Sequence, residues 1–435
     1  MMMPADVLVT GAGPGGCAAA LSFAREGAQV VLVGLRGSPD RGLSGEWLHP
    51  AGVAILRELG VRLDGADFTE NHGFMVHPGG GRAPLLLPYA QGKAVSMPHH
   101  VLVDRLRRAA VEHGSVTLLL DERVTEATTA GSAATTAGNF QADLLIGADG
   151  RASLLRRALR PRESPAMTLS TTAGFDLVGA SLPIEKYGHI FLGGPGPALA
   201  YRIAPDTIRL SLDVVSCRLT PSQMGDYLRN CYAPALPGEL RDAFIEATAH
   251  GLRPRWAANR FRQRLFYGDG RLALVGDAVG FGHPLAAHGM TTAILDGDCV
   301  GRRGDVVSYE RERRTRSWAA ERLGMALHRA LTDTESALFR EALFQIWGHD
   351  PAESERMMRL LAVQEDRRRE FSLVVAHIAT IALLRPVETG EEGPLISPLA
   401  RWVRAVPQLV NWLRWLYGSH AIRPKSMPSL ISKHG

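Results

Sequence analysis

The apolar positions of this chain follow two periods, and each change of period marks a new part. Val7-Leu8-Val9 is a short apolar run of the kind that a buried parallel strand needs. An alanine-rich helix to about Glu26 follows, Gly27 stops it, and a second apolar strand covers 29–33. Further on, the pattern predicts a helix at 51–59 capped by Gly60. A β-hairpin comes next within 73–97, turning at Pro78-Gly79-Gly80-Gly81. A helix at 100–113 and strands at 117–120 and 123–128 lead to a buried strand that ends in Gly147-Ala148-Asp149-Gly150. Two-residue alternation then dominates, with strands at 173–178, 189–192, 198–204 and 207–215, followed by helical pieces at 223–231 and 238–248. Residues 272–290 return to strand, glycine turn and helix, and everything from about 305 onward reads as helix.

Between the first strand and helix stands Gly11-Ala12-Gly13-Pro14-Gly15-Gly16, a G-x-G-x-x-G run inside a βαβ unit. Gly11 permits the tight turn, Gly13 lets a pyrophosphate approach the backbone, and Gly16 lets helix and strand pack closely. An anion there meets free N–H groups and the positive end of the helix dipole. Dinucleotide binding is therefore expected. The acidic residue that usually grips the ribose is missing, since the second strand ends Val33-Gly34-Leu35-Arg36. The adenosine end must then rely on other contacts, and a loosely held dinucleotide is expected.

With 435 residues the chain exceeds one small core. A net charge of +5 is modest, and the arginine clusters at 302–303, 311–316 and 367–369 read as solvated helix faces rather than a nucleic-acid tract. Cys17, Cys217, Cys231 and Cys299 form no C-x-x-C pair, so neither a disulfide framework nor a metal site is expected. The first strand begins too early to leave room for a signal peptide, and no stretch offers the roughly 20 apolar residues that span a bilayer. A cytoplasmic protein is expected.

Gly11–Gly16, Asp149-Gly150 and Gly276-Asp277, in that order, resemble the FAD-dependent monooxygenases of the para-hydroxybenzoate hydroxylase type. Residues 5–300 resemble squalene epoxidases more closely. Pro39-Asp40-Arg41 precedes Gly45-Glu46-Trp47-Leu48-His49-Pro50; Gly73-Phe74-Met75-Val76-His77 precedes Leu87-Pro88-Tyr89; and His283-Pro284-Leu285 leads to Gly289-Met290. The resemblance implies an α/β fold. A Rossmann-type FAD-binding domain (1–165 and 266–304) carries an inserted antiparallel substrate domain (166–265, joined by the hairpin at 73–97), and 305–435 form a helical region. It implies FAD contacts from Gly11, Ala12, Gly13, Pro14, Gly15, Gly16, Arg41, Val124, Asp149, Gly150, Gly276, Asp277, Pro284, Gly289 and Met290. Phe74, Tyr89 and His288 would face the substrate.

The implied reaction is insertion of one oxygen atom of O2 into a double bond or aromatic ring through a flavin C4a-hydroperoxide, which is the cofactor's own chemistry. NAD(P)H would be the ultimate reductant, directly or through a separate reductase, because no second nucleotide motif occurs. No protein nucleophile is needed. His99, His100 and His288 are candidate bases, since histidine titrates near neutrality.

Several departures point away from squalene itself: Gly34-Leu35 replaces a Glu-Arg pair, Val101 a flavin-touching arginine, His288 a glycine and Phe74 a tyrosine. A hydrophobic prenylated or polycyclic substrate, as in secondary metabolism, fits better. A flavin-dependent reductase of prenyl chains and a non-catalytic flavin-binding protein remain as alternatives. The Trp-x-Trp-x-Ile-Pro motif of flavin halogenases is absent from the chain. The Trp- and Leu-rich stretches at 371–384 and 395–417, flanked by arginines, suit either a membrane interface or an ordinary helical cap.

Overall fold

In the computed structural model, residues 2–417 are described except 38–42, 161, 164, 216–220, 334–335 and 385–397. Met2–Thr10 forms the central strand of an eight-stranded sheet. It pairs in parallel with Gly138–Gly147 on one side and with Val30–Gly34 on the other. Val116–Leu120 extends the sheet beyond Val30–Gly34, and Leu272–Leu274 extends it beyond Gly138–Gly147. Val7, Leu8 and Val9 are buried, as a strand covered on both faces requires. The helix Pro14–Arg25 packs against His288–Arg303, where Gly297 and Gly301 permit the approach: a Cβ on Gly297 would lie 2.3 Å from the Gly15 carbonyl oxygen.

A second sheet of seven strands carries the alternating stretches, in the order Arg255–Phe261, Met167–Val178, Thr207–Val214, Ala198–Ala204, Gly188–Phe191, Gly73–His77, Leu85–Pro88. Its pairs are antiparallel except Gly188–Phe191 with Gly73–His77, which run parallel. The hairpin expected at the Pro78–Gly81 turn therefore joins this sheet, and Arg255–Phe261 is an edge strand that the alternation does not mark. Ala94–Ser96 lies instead in a small sheet with Trp47–Leu48 and Thr69–Asn71.

The two faces of the seven-stranded sheet differ in kind. On one face Ala173, Phe175, Leu177, Ala198, Ala200, Ile208, Leu210 and Leu212 are buried beneath the helices Pro221–Tyr232 and Gly238–Ala249. On the other, Thr172, Arg209, Ser211, Asp213 and Asn259 look toward the first domain. From Val306 on, the described residues are mostly helical: Val306–Thr332, Ala337–His349, Pro351–Leu361, Arg368–Leu384 and Pro398–Tyr417. These helices share an apolar core around Leu323, Phe339, Leu343, Phe371 and Trp412. No helix among the described residues is long and apolar enough to cross a membrane.

Candidate functional site

A cavity of about 550 Å³ opens between the glycine turn, the polar face of the second sheet and the helix Val306–Thr332. At one end stand Gly13, Pro14 and Gly15. Gly11 holds φ at +104°, where a Cβ would lie 2.3 Å from the Ala148 carbonyl oxygen, and a Cβ on Gly16 would lie 1.9 Å from that of Gly11. At Gly13 a Cβ would meet nothing within 4 Å, so this glycine leaves its space to whatever lies in the cavity. The helix it opens has no side-chain cap and no acidic residue in its first turn, so the N–H groups of that turn are available to an anion.

Gly150, Arg151, Gly276 and Asp277 line the cavity next. Asp277 Oδ2 accepts from Arg151 Nε at 3.0 Å, which leaves Oδ1 without a partner among the described residues. Asp149 acts on the backbone instead, where its Oδ2 accepts from Leu154 N–H at 2.7 Å and caps the helix Leu154–Leu159. The turn bearing Asp277 is held from behind by buried charges. Asp296 is fully buried and accepts from Arg264, from Arg313 Nε at 2.8 Å and from Gly276 N–H at 2.8 Å. Arg264 Nη1 also donates to the carbonyls of Gly276 and Gly280, each at 3.0 Å.

Pro284, Ala287, His288, Gly289 and Met290 form the neighbouring wall. His283 Nδ1 accepts from Leu285 N–H, so its proton sits on Nε2. That nitrogen donates to Ser170 Oγ at 2.9 Å, and Ser170 Oγ–H in turn donates to Asp213 Oδ1. Asn259 Nδ2 donates to the same Oδ1 at 3.0 Å, while His328 Nε2 faces Oδ2 at 3.4 Å. Asp213, His283 and His328 are near enough for metal ligation. The two imidazoles stack with ring centroids 3.8 Å apart, and the buried Asp213 Oδ2 and His328 Nε2 have no hydrogen-bond partner among the described residues. The hydrogen bonds hold the Asp213 carboxyl well below the usual carboxylate range, and burial holds His283 low.

The candidate histidines separate. His288 lines the cavity, but its Nε2–H donates to the Leu361 carbonyl at 2.9 Å, and burial lowers its pKa to about 4. His99 lines it too. Its Nδ1–H donates to the Gly45 carbonyl at 2.9 Å, which leaves Nε2 without a partner among the described residues, and burial lowers its pKa. His100 is exposed and is not on the cavity wall.

Phe74 is on the wall and stacks on Trp47 at 4.8 Å. Tyr89 lies behind it: its hydroxyl accepts from Trp47 Nε1–H at 3.2 Å and donates to His49 Nδ1 at 2.8 Å. His49 passes the chain on by donating Nε2–H to the Ala286 carbonyl at 2.9 Å, and burial lowers its pKa to about 3. Val124 sits in the strand Val124–Ala127, away from the cavity, and Arg41 lies outside the described residues. The Asp296 lock, the Asp213 cluster and the buried pair Glu46–Arg209 were not foreseen from the sequence, although Glu46 and His283 stand within the motifs named above.

The family profile for squalene epoxidase matches residues 141–402. The chain belongs to the squalene epoxidase family. Squalene epoxidase erg1 of Aspergillus fumigatus is 31% identical over 318 residues, covering 67% of this chain and 64% of that protein. Squalene monooxygenase of Mus musculus is 26% identical over 375 residues, covering 78% and 64%. The chain spans 52 to 64% of the length of the first four such squalene epoxidases, less than two thirds.

Among solved structures, the fold is similar to PqsL, a probable FAD-dependent monooxygenase from Pseudomonas aeruginosa (TM-score 0.64, 21% identity, 76% of this chain and 97% of that one). It is also similar to OxyS anhydrotetracycline hydroxylase from Streptomyces rimosus (0.62, 22%, 83% and 76%). The architecture is thus the Rossmann-type fold of FAD-dependent monooxygenases. The residues present fit FAD. Gly13 leaves space for a pyrophosphate, the first helix offers it uncapped N–H groups, and Asp277 keeps an oxygen without a partner among the described residues for a polyol hydroxyl. At the adenosine end a Cβ on Gly34 would lie 2.6 Å from that of Ala12, so the turn itself occupies the place of a larger residue. Arg107 spans this end, donating to the carbonyls of Ala12 and Leu35 at 3.0 and 2.7 Å.

Proposed function

We propose that the chain is an FAD-dependent monooxygenase that puts one oxygen atom of O2 into an electron-rich double bond or aromatic ring of a lipophilic substrate. The observation that carries this reading is the continuity of the cavity, from the glycine turn past Asp277 and Met290 to Phe74 and the second sheet. A cofactor and a second molecule can meet in it. Bound FAD supplies the redox chemistry and the activation of O2.

The chain's own residues bind, orient and exclude water. The N–H groups at Gly13–Gly15 take the pyrophosphate, Asp277 takes the polyol, and the Asp296 lock holds the turn in place. Trp47, Phe74, Phe281, Leu285 and Met325 give the cavity apolar walls, which keep water from a reactive oxygen species. Burial keeps His99 neutral near pH 7, and it is the candidate base on the cavity wall whose Nε2 has no partner among the described residues, so it is the one suited to accept a phenolic or enolic proton. Electrons come from NAD(P)H, directly or through a separate reductase. The helices Arg368–Leu384 and Pro398–Tyr417, which expose Leu373, Leu384, Val406 and Val410, make peripheral contact with a membrane that supplies the substrate.

The test is turnover of protein reconstituted with FAD and a generic NAD(P)H–flavin reductase under 18O2, against a panel of lipophilic terpenoids and aromatics. Products carrying one 18O atom are expected. Reduction products without label would favour the prenyl reductase instead. Failure to take up FAD would end both readings.

A further inference from the structure

We infer that the substrate carries a hydrogen-bonding polar head, a hydroxyl in the simplest case, and that Ser211 receives it; this rests on the monooxygenase reading and narrows its substrate class. The strand Thr207–Val214 sends Ile208, Leu210 and Leu212 into the core beneath the helices and Arg209, Ser211 and Asp213 to the cavity. Thr172, Tyr201 and Asn259 on other strands of the sheet add polar groups to this wall, beside the apolar Leu199 and Ala257. A wall facing a pure hydrocarbon would be expected to alternate apolar with apolar. Each polar group left facing a hydrocarbon costs about 1–3 kcal/mol of desolvation.

Most of these groups are satisfied within the protein. Arg209 donates to both carboxylate oxygens of Glu46, at 2.7 and 2.8 Å. Asn259 and Thr172 bond each other, and Asp213 Oδ1 is held by Ser170 and Asn259, while its Oδ2 has only His328 Nε2 nearby at 3.4 Å. Ser211 is different: its hydroxyl lines the cavity with no side-chain hydrogen bond among the described residues. It stands between Arg209–Glu46 on one side and the Asp213 cluster on the other, so a donor–acceptor group arriving there enters a polar strip. Trp47, Leu285 and Met325 on the other walls, with Phe74 from the far side of the same sheet, receive an apolar body. The geometry describes an amphipathic ligand, its polar end at Ser211 and its hydrophobic portion against the aromatic and aliphatic residues of the cavity.

The experiment uses full-length protein loaded with FAD and two matched probe pairs, farnesol with farnesene and 2-naphthol with naphthalene, measured by equilibrium dialysis. In each pair the alcohol is expected to bind about tenfold tighter than its hydrocarbon, the value of one well-made hydrogen bond against one left unmade. Ser211→Ala is expected to bring each pair within about threefold while leaving FAD affinity and the thermal midpoint unchanged. Alcohols that bind no tighter than hydrocarbons overturn the inference and leave the monooxygenase reading standing. The inference also falls if Ser211→Ala weakens FAD as much as it weakens the alcohols, since the strip then belongs to the cofactor. Wild-type protein that takes up no FAD overturns both.

Discussion

Replacing Asp296 by Asn removes one charge from a place where three buried charges meet. The side chain of Asp296 is fully buried, and Arg264 and Arg313 beside it are nearly so. In the wild type the carboxylate faces both guanidiniums and accepts the Gly276 N–H, and it holds both arginine pKa values above their ordinary range. Asn is nearly isosteric and keeps one acceptor, so little packing is lost. The loss is electrostatic: two buried cations remain without their anion. Breaking a buried pair in this way costs about 3–5 kcal/mol.

With two guanidiniums affected, the upper half of that range is expected. Arg264 also ties the carbonyls of Gly276 and Gly280, so the turn presenting Asp277 should loosen together with the core. The assay is urea unfolding of wild type and Asp296→Asn at pH 7, paired with FAD titration. A drop in the urea midpoint together with at least tenfold weaker FAD binding is expected. A midpoint within experimental error of wild type would refute the reasoning, because it would mean that the two arginines find water or another anion at no cost.

Gly16→Ala is expected to abolish FAD retention, because its Cβ would sit 1.9 Å from the Gly11 carbonyl oxygen; a flavin spectrum of the purified variant checks this. Gly34→Glu, which restores an acidic residue to the end of the second strand, is expected not to tighten FAD, since its Cβ would overlap Ala12; titration against wild type decides. Ala287 holds a left-handed φ of 51°, so Ala287→Gly relieves about 1–2 kcal/mol of strain and loses part of it to chain entropy. A small rise in thermal midpoint is the expected net result. Stability should fall as pH drops below about 6.5. His49 and His288 take up protons in the unfolded chain there, but in the folded protein only near 3 and 4. Two such groups give a slope of roughly 2–3 kcal/mol per pH unit, seen as a falling urea midpoint between pH 6.5 and 4.

The first domain was legible because its signals are local. A β-branched run, a glycine turn and an alanine-rich helix each dictate their own backbone; the helix end and the second strand fall within a residue or two, while the first strand runs from Met2 to Thr10, well beyond the apolar run that marks it. The alternating region was legible as strands but not as a sheet: nothing in Gly73–His77 shows that it will pair in parallel with Gly188–Phe191, more than a hundred residues away. The same distance hid the Asp296 lock, whose three side chains come from a loop and two helices and carry no motif. The Asp213 cluster draws on three strands, a turn and a helix. His283 could be named from the sequence, but not the carboxylate that orients it. Tyr89 shows the opposite limit, a residue whose type suits a cavity while its hydroxyl is spent between Trp47 and His49.

In the strand Thr207–Val214 successive side chains serve different masters. Ile208, Leu210 and Leu212 hold the sheet to its covering helices, while Arg209, Ser211 and Asp213 face the cavity. Substitution at Ser211 can therefore change what the cavity accepts with the hydrophobic face left untouched, and a lineage can explore new ligands without first acquiring spare stability. A single inserted residue would do the reverse, since it exchanges the two faces beyond it and drives charge into the core. The strand is thus permissive to substitution and intolerant of changes in length.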